Sequence, residues 1–212
     1  MPDESMRERL IREAARLFAT NGIKATTVAR IEEAVGLRVG SGGVHRYFPT
    51  KDDLVRAVLE DQLDKGATTR ETVRAWPRPA SHEVRSFLEM VGHYALAESE
   101  HGREVALIGL REGASLYERF PDLRHRNFEL AFTSVADQVR EFLAESGETS
   151  EFAESLDADA IGFLFMGPLL YHRIIEWLTG ETALGITDER LVTQWAALLE
   201  PLFRRLLEPD SE

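Results

Sequence analysis

Apolar residues recur at helical intervals along nearly the whole chain. Leu10, Ile11, Ala14, Ala15, Leu17 and Phe18 make one stripe at spacings i, i+4, i+7 and i+8. Ser5 is placed to cap that helix, and Asn21-Gly22 to end it in a left-handed turn. Thr26-Thr27 can cap a second helix carrying Val28, Ile31, Ala34 and Val35, which Gly36 stops. A glycine run, Gly40-Ser41-Gly42-Gly43, precedes a short aromatic helix, Val44-His45-Arg46-Tyr47-Phe48, closed by Pro49. Thr50-Lys51-Asp52-Asp53 has the form of a capping box. The fourth helix that follows carries Leu54, Val55, Val58, Leu59 and Leu63.

Residues 66–80 read as a hinge ending in Trp76-Pro77-Arg78-Pro79. Longer helical patterns then cover roughly 81–100, 103–118, 121–146, 157–179 and 187–208. Pro168 should kink the helix from 157, because it removes the bond to the Leu164 carbonyl. Leu191, Trp195, Leu198, Leu199, Leu202 and Phe203 stripe the last helix. No convincing strand alternation occurs. The expected fold class is all-α: an N-terminal three-helix helix-turn-helix module over residues 1–65, and a C-terminal helical bundle over 66–212.

Composition narrows the function. The chain of 212 residues is 43% hydrophobic and 29% charged, as in an ordinary folded protein rather than a disordered one. It has no cysteine, which excludes disulfides, thiolate zinc sites and a cysteine nucleophile. The longest apolar run, Ala160–Tyr171, is twelve residues, too short to span a bilayer. No secretion signal is visible, so a cytoplasmic location is expected. HExxH, GxGxxG, P-loop and GxSxG patterns are missing, and neither an enzyme activity nor a cofactor or metal is expected. Net charge is −12, which seen alone disfavours nucleic acid. Its distribution reverses that reading. Up to Lys65 there are eleven basic and eleven acidic residues, a net of zero; the remaining fourteen and twenty-six account for the whole excess. A neutral module beside an acidic one leaves room for a local basic cluster to meet phosphate.

Helix, glycine-containing turn and short helix together form the pattern in which the second helix enters the major groove. Thr26-Thr27-Val28-Ala29-Arg30-Ile31, then Gly36-Leu37, then Gly42–Leu54 carry the likeness to a known family. Over about residues 7–62 the chain resembles the TetR-type bacterial transcriptional regulators. A weaker likeness continues at Gly167–Tyr171 and Leu178–Glu181. The chain departs from the family pattern in three places. His45 stands where a phosphate-contacting Tyr is usual, Glu32 stands where Ala is usual, and the interval from Ile31 to Tyr47 is two residues longer. The extra residues fall in Arg38-Val39-Gly40-Ser41. With so many glycines, the recognition helix should start no earlier than Ser41 and be loosely ordered without DNA.

The resemblance implies DNA contacts from Thr26, Thr27, Arg38, Ser41, Gly43, His45, Arg46, Tyr47 and Lys51. Phe48 should instead close the module's core. Lys51 can meet phosphate because a cation and backbone N–H groups converge at a helix N-terminus. In the C-terminal bundle, Phe87, Met90, His93, Tyr94, Leu107, Leu110, Phe128, Phe132, Phe163 and Met166 could line a pocket for a small apolar or amphipathic effector, or simply form core. The last two long helices resemble the family's dimer interface, with Ile161, Leu169, Tyr171, Leu191, Trp195, Leu198 and Leu202 as candidates. An intramolecular core is the rival reading. The expected function is a dimeric repressor of a pseudo-palindromic double-stranded DNA operator, released by its effector. A helical scaffolding dimer that has lost DNA binding is the alternative.

Overall fold

The computed structural model describes residues 5–77, 79–123, 136–137, 140 and 156–207. Among these residues the regular structure is helical throughout, with no strand. The helices are α1 (Met6–Asn21), α2 (Val28–Ala34), α3 (Lys51–Arg74), α4 (Val84–Ser99), α5 (Arg103–Glu112), α6 (Ala114–Arg119), α7 (Ala158–Thr179) and α8 (Asp188–Leu207). A single 3-10 turn, Val44–Arg46, lies between α2 and α3.

Two compact units result: Met1–Gly66 with His101–Asn127, and Ala67–Glu100 with Phe128–Glu212. In the first, Leu10, Ala14, Leu17 and Phe18 of α1 are buried, as are Ile31, Val35, Val44, Phe48, Leu54, Val55, Val58 and Leu59. The segment from His101 is tied to the helices that precede it. Glu112 Oε1 accepts the Ile23 N–H at 2.7 Å. Arg119 grips both oxygens of Asp52, Nε at 2.9 Å. Arg56 grips Asp122 at 2.6 and 3.2 Å, and its guanidinium stands 5.3 Å from the Phe120 ring centroid. These pairs are exposed, so each contributes orientation more than stability.

In the second unit Val84, Leu88, Leu96, Phe165, Leu169, Val192, Trp195, Ala196 and Phe203 form one core cluster. Gly92 makes the packing of α4 on α8 possible, since a Cβ there would stand 2.9 Å from Val192 Cγ1 and 3.2 Å from the Trp195 ring. Trp195 packs edge-on against Phe165, centroids 4.5 Å apart, and its indole N–H donates to the Phe165 carbonyl at 2.9 Å. His172 and Arg173 are buried and share Asp188, at 3.0 and 2.6 Å.

The fold alters several expectations. α3 runs without interruption to Arg74, so most of the expected hinge is helix, and the break begins at Ala75. The pattern over 103–118 is split at Gly113, whose φ of +57° ends α5. Residues 121–146 lie almost wholly outside the described residues. α7 continues as helix through Pro168, and α8 likewise contains Pro201.

Two candidates for an intersubunit seam are corrected here. Leu169 and Trp195 are buried in the chain's own core, so neither offers surface to a partner. Replacing Trp195 with Asp should therefore unfold the second unit rather than only separate subunits. The loss should be at least about 3–5 kcal/mol, the range for truncating a buried aromatic, measurable by urea titration of the helical signal. Unchanged stability would place Trp195 outside the core.

Candidate nucleic-acid interface

The first unit exposes several polar residues of the candidate interface on a sequence that caps its helices closely. Ser5 Oγ accepts the Glu8 N–H at 3.2 Å while Glu8 accepts the Ser5 N–H at 2.8 Å. These bonds hold the Glu8 carboxyl below its ordinary range. Thr27 caps α2 through the Arg30 N–H at 3.3 Å. Thr50 and Asp53 exchange bonds at the start of α3, at 2.8 and 3.1 Å, which lowers the Asp53 carboxyl's pKa. Arg9 reaches from α1 to the Val35 carbonyl at 2.9 Å, satisfying an acceptor just beyond the end of α2.

The segment from 44 to 48 has one inward and one outward side. Val44 and Phe48 are buried, and the Tyr47 and Phe48 amides both donate to the Val44 carbonyl at 3.0 Å. His45, Arg46 and Tyr47 are exposed, Tyr47 by 44%. His45 Nδ1 lies 3.0 Å from the Pro49 carbonyl. Phe48 is core as expected, with the Arg7 guanidinium 5.3 Å from its ring centroid. The expected short helix is a single 3-10 turn beginning at Val44, later than Ser41.

The turn before it is held by a buried acid. Glu32 is 2% exposed. Its Oε2 accepts the Gly40 N–H at 2.7 Å, and its Oε1 accepts the Gly43 N–H at 2.9 Å. Its main-chain carbonyl takes the Leu37 N–H at 2.8 Å. The expectation of a loosely ordered recognition helix was drawn from the glycines alone, without these bonds. Arg38, Val39, Gly40 and Ser41 face solvent.

Of the nine candidate contacts, Thr27, Arg38, Ser41, His45, Arg46 and Tyr47 are exposed. Thr26 is corrected: it is fully buried, and its hydroxyl lies within bonding distance of the Leu17 and Gly22 carbonyls, at 3.2 and 2.9 Å. Gly43 is corrected too, being buried with its N–H bound to Glu32. Lys51 is half-buried, donates to the Ile23 carbonyl and lies 6.0 Å from the Phe18 ring centroid. Burial, with the nearby Arg119 charge, lowers its pKa.

The expected pocket residues do not share one environment. Leu107 and Leu110 belong to the first unit; Phe87, Met90, His93, Tyr94, Phe163 and Met166 belong to the second. Met90, His93, Leu110 and Phe163 are exposed. His93 faces Glu189 at 3.3 Å, and Tyr94 packs edge-on to Trp76. Phe128 and Phe132 lie outside the described residues. Of the seam candidates, Tyr171 and Leu198 are exposed, by 64% and 81%, and Ile161, Leu191 and Leu202 are half-buried. Sequence reading did not select the exposed Leu164 and Leu178, which share the Tyr171 spacing of seven along α7. That spacing was the available signal. Among the described residues no cluster of His, Asp and Glu could hold a metal, and no helix is long and apolar enough to cross a membrane.

Comparison with known proteins gives the following. The family model described as bacterial regulatory proteins, tetR family, matches residues 10–58. The HTH-type transcriptional repressor KstR2 of Mycolicibacterium smegmatis is 42% identical over 60 residues, which is 28% of this chain and 28% of that protein. The repressor of the same name from Mycobacterium tuberculosis is 26% identical over 158 residues, 74% of each. The solved ketosteroid transcriptional regulator KstR2 of Mycobacterium tuberculosis aligns with TM-score 0.61 at 21% identity, over 94% of this chain and 95% of that one. At that identity the likeness shows the fold.

Thr26→Val keeps the shape of the side chain and removes its hydroxyl. It should destabilise the first unit by about 1 kcal/mol, measured by denaturant unfolding. No change would mean that the two carbonyls are satisfied without it.

Proposed function

We propose that the chain is a TetR-type regulator, a homodimeric, sequence-specific repressor whose grip on a pseudo-palindromic operator is released by a small apolar or amphipathic effector; the family match over residues 10–58 and the likeness to the KstR2 repressors support this. One observation carries the reading. Val44 and Phe48 anchor a turn whose opposite side presents His45, Arg46 and Tyr47, with Thr27, Arg38 and Ser41 exposed nearby in sequence. Arg and His are donors suited to phosphate oxygens and to guanine edges in the major groove. The Tyr47 hydroxyl, Thr27 and Ser41 add short-range donors to the backbone. Lys51 is best read as holding the Ile23 loop, with any phosphate contact secondary.

Two such turns, related by a twofold axis, would read half-sites roughly 34–36 Å apart. The apolar, exposed Leu164, Tyr171 and Leu178 of α7 and Leu198 of α8 support an isologous contact through these helices. Gly167, where a Cβ would meet nothing within 4 Å, supports close approach of a partner helix. Release follows from linkage: an effector that prefers a conformation with a different spacing of the two turns weakens DNA binding, and DNA weakens effector binding by the same factor. The name of the KstR2 relative ties that protein to ketosteroids, so a ketosteroid is the first effector to try on this chain.

Arg46→Ala should weaken binding to a duplex enriched by the protein from a randomised library by about tenfold to a hundredfold, equivalent to about 1–3 kcal/mol, with folding unchanged. Fluorescence anisotropy reads this directly, and full affinity would remove Arg46 from the interface. If the unmodified protein binds no duplex even at low salt, the scaffolding alternative takes over. Separately, Leu198→Glu paired with Tyr171→Asp should give a folded monomer in sedimentation velocity. A dimer that survives both changes would move the seam elsewhere.

A further inference from the structure

Glu32 is a buried acid that the reading above leaves without a task. It sits on α2, yet all three of its acceptor groups serve the turn that follows. The main-chain carbonyl takes the Leu37 amide, and the two carboxyl oxygens take the amides of Gly40 and Gly43. The bound amides are three residues apart, so the turn is fastened at regular intervals. Its shape requires glycine. Gly40 and Gly42 have φ of +75° and +67°, values that residues with a Cβ rarely adopt. Between the fastened points the side chains of Arg38, Val39 and Ser41 are exposed. Val39 is 54% exposed, so its side chain adds little to the core.

From this geometry, and resting on the DNA-binding reading above, we propose that Glu32 is a positioning residue for sequence recognition. Through the Gly40 and Gly43 amides it holds Arg38–Gly43 as a second contact element ahead of Val44–Tyr47. That element places Val39 against the methyl group of a thymine and Arg38 against a neighbouring phosphate. Apolar contact with the thymine C5 methyl is a direct readout available in the major groove. Phosphate contact fixes register without reading sequence.

The test uses the full chain and two duplexes of equal length: one enriched by the unmodified protein from a randomised library, and a scrambled version of it. Binding is measured at one salt concentration for the parent, Glu32→Gln, Glu32→Ala and Val39→Ala. Gln offers one acceptor and one donor end, so it can keep only one of the two amide bonds. Both Glu32 variants should lose at least about tenfold on the enriched duplex and several-fold less on the scrambled one, because the Val39 base contact is lost on the first alone and the Arg38 phosphate contact on both. Val39→Ala should lose affinity on the enriched duplex alone. Enrichment repeated with Glu32→Ala should return a motif lacking the thymine preference that Val39→Ala also erases. Equal losses on both duplexes would assign Glu32 a purely structural role and overturn the proposal, as would full discrimination by the Glu32 variants. If those variants do not fold, exposed Val39 decides: undiminished discrimination by Val39→Ala overturns it. A parent protein that discriminates no duplex removes the DNA-binding reading and this inference together. A parent that discriminates beside Glu32 variants that do so equally well removes this inference alone.

Discussion

The first unit depends on how a glycine-rich connection between two helices is given one shape. Glycine allows the positive φ values at Gly40 and Gly42, but it also leaves the unfolded chain its greatest freedom. Something must select the native form. The Glu32 carboxyl does so by accepting two backbone N–H groups that would otherwise need water. A buried acid is itself unfavourable unless it is hydrogen-bonded. Acid and amides therefore satisfy each other: without the turn Glu32 would lack partners, and without Glu32 the Gly43 amide would be buried and unpaired.

The remaining contacts of this unit fix where that turn begins and ends. Val44 and Phe48 enter the core on the far side of the turn, and Arg9 fastens the Val35 carbonyl on the near side. Thr26 and Lys51 close the loop between α1 and α2, one by its hydroxyl and the other by its ammonium on the Ile23 carbonyl. Glu112 takes the Ile23 amide, so both polar groups of one residue are held by side chains distant in sequence. The outward residues from Arg38 to Tyr47 are thus carried on a backbone defined at both ends. The proposed contact with base edges would need that definition, because a hydrogen-bonded base contact tolerates little displacement.

Local chemistry was legible in the sequence. Ser5 and Glu8, Thr27, and Thr50 with Asp53 cap the helices the pattern marked out, because capping depends on residues three apart in the chain. Other features depended on partners far away in sequence. Thr26 and Thr27 are equivalent to a reader of sequence, yet one is buried and the other exposed. The apolar stripe that holds Trp195 and Leu198 shows that the helix has an apolar face but not which neighbour covers which part of it. Trp195 went to the chain's own core, and Leu198 stayed outside. Glu32 and the longer turn were both visible as departures from the family pattern, as two separate oddities. Only coordinates join them.

On the proposed reading, the exposed residues between 38 and 47 meet DNA as a symmetric pair of turns. Methylation protection on the enriched duplex decides this. Guanine N7 atoms should be shielded in the major groove within two half-sites whose centres lie about one helical turn, roughly 10 base pairs, or a multiple of that apart. Protection confined to one site, or no major-groove protection on a duplex that the protein demonstrably retains, would contradict it.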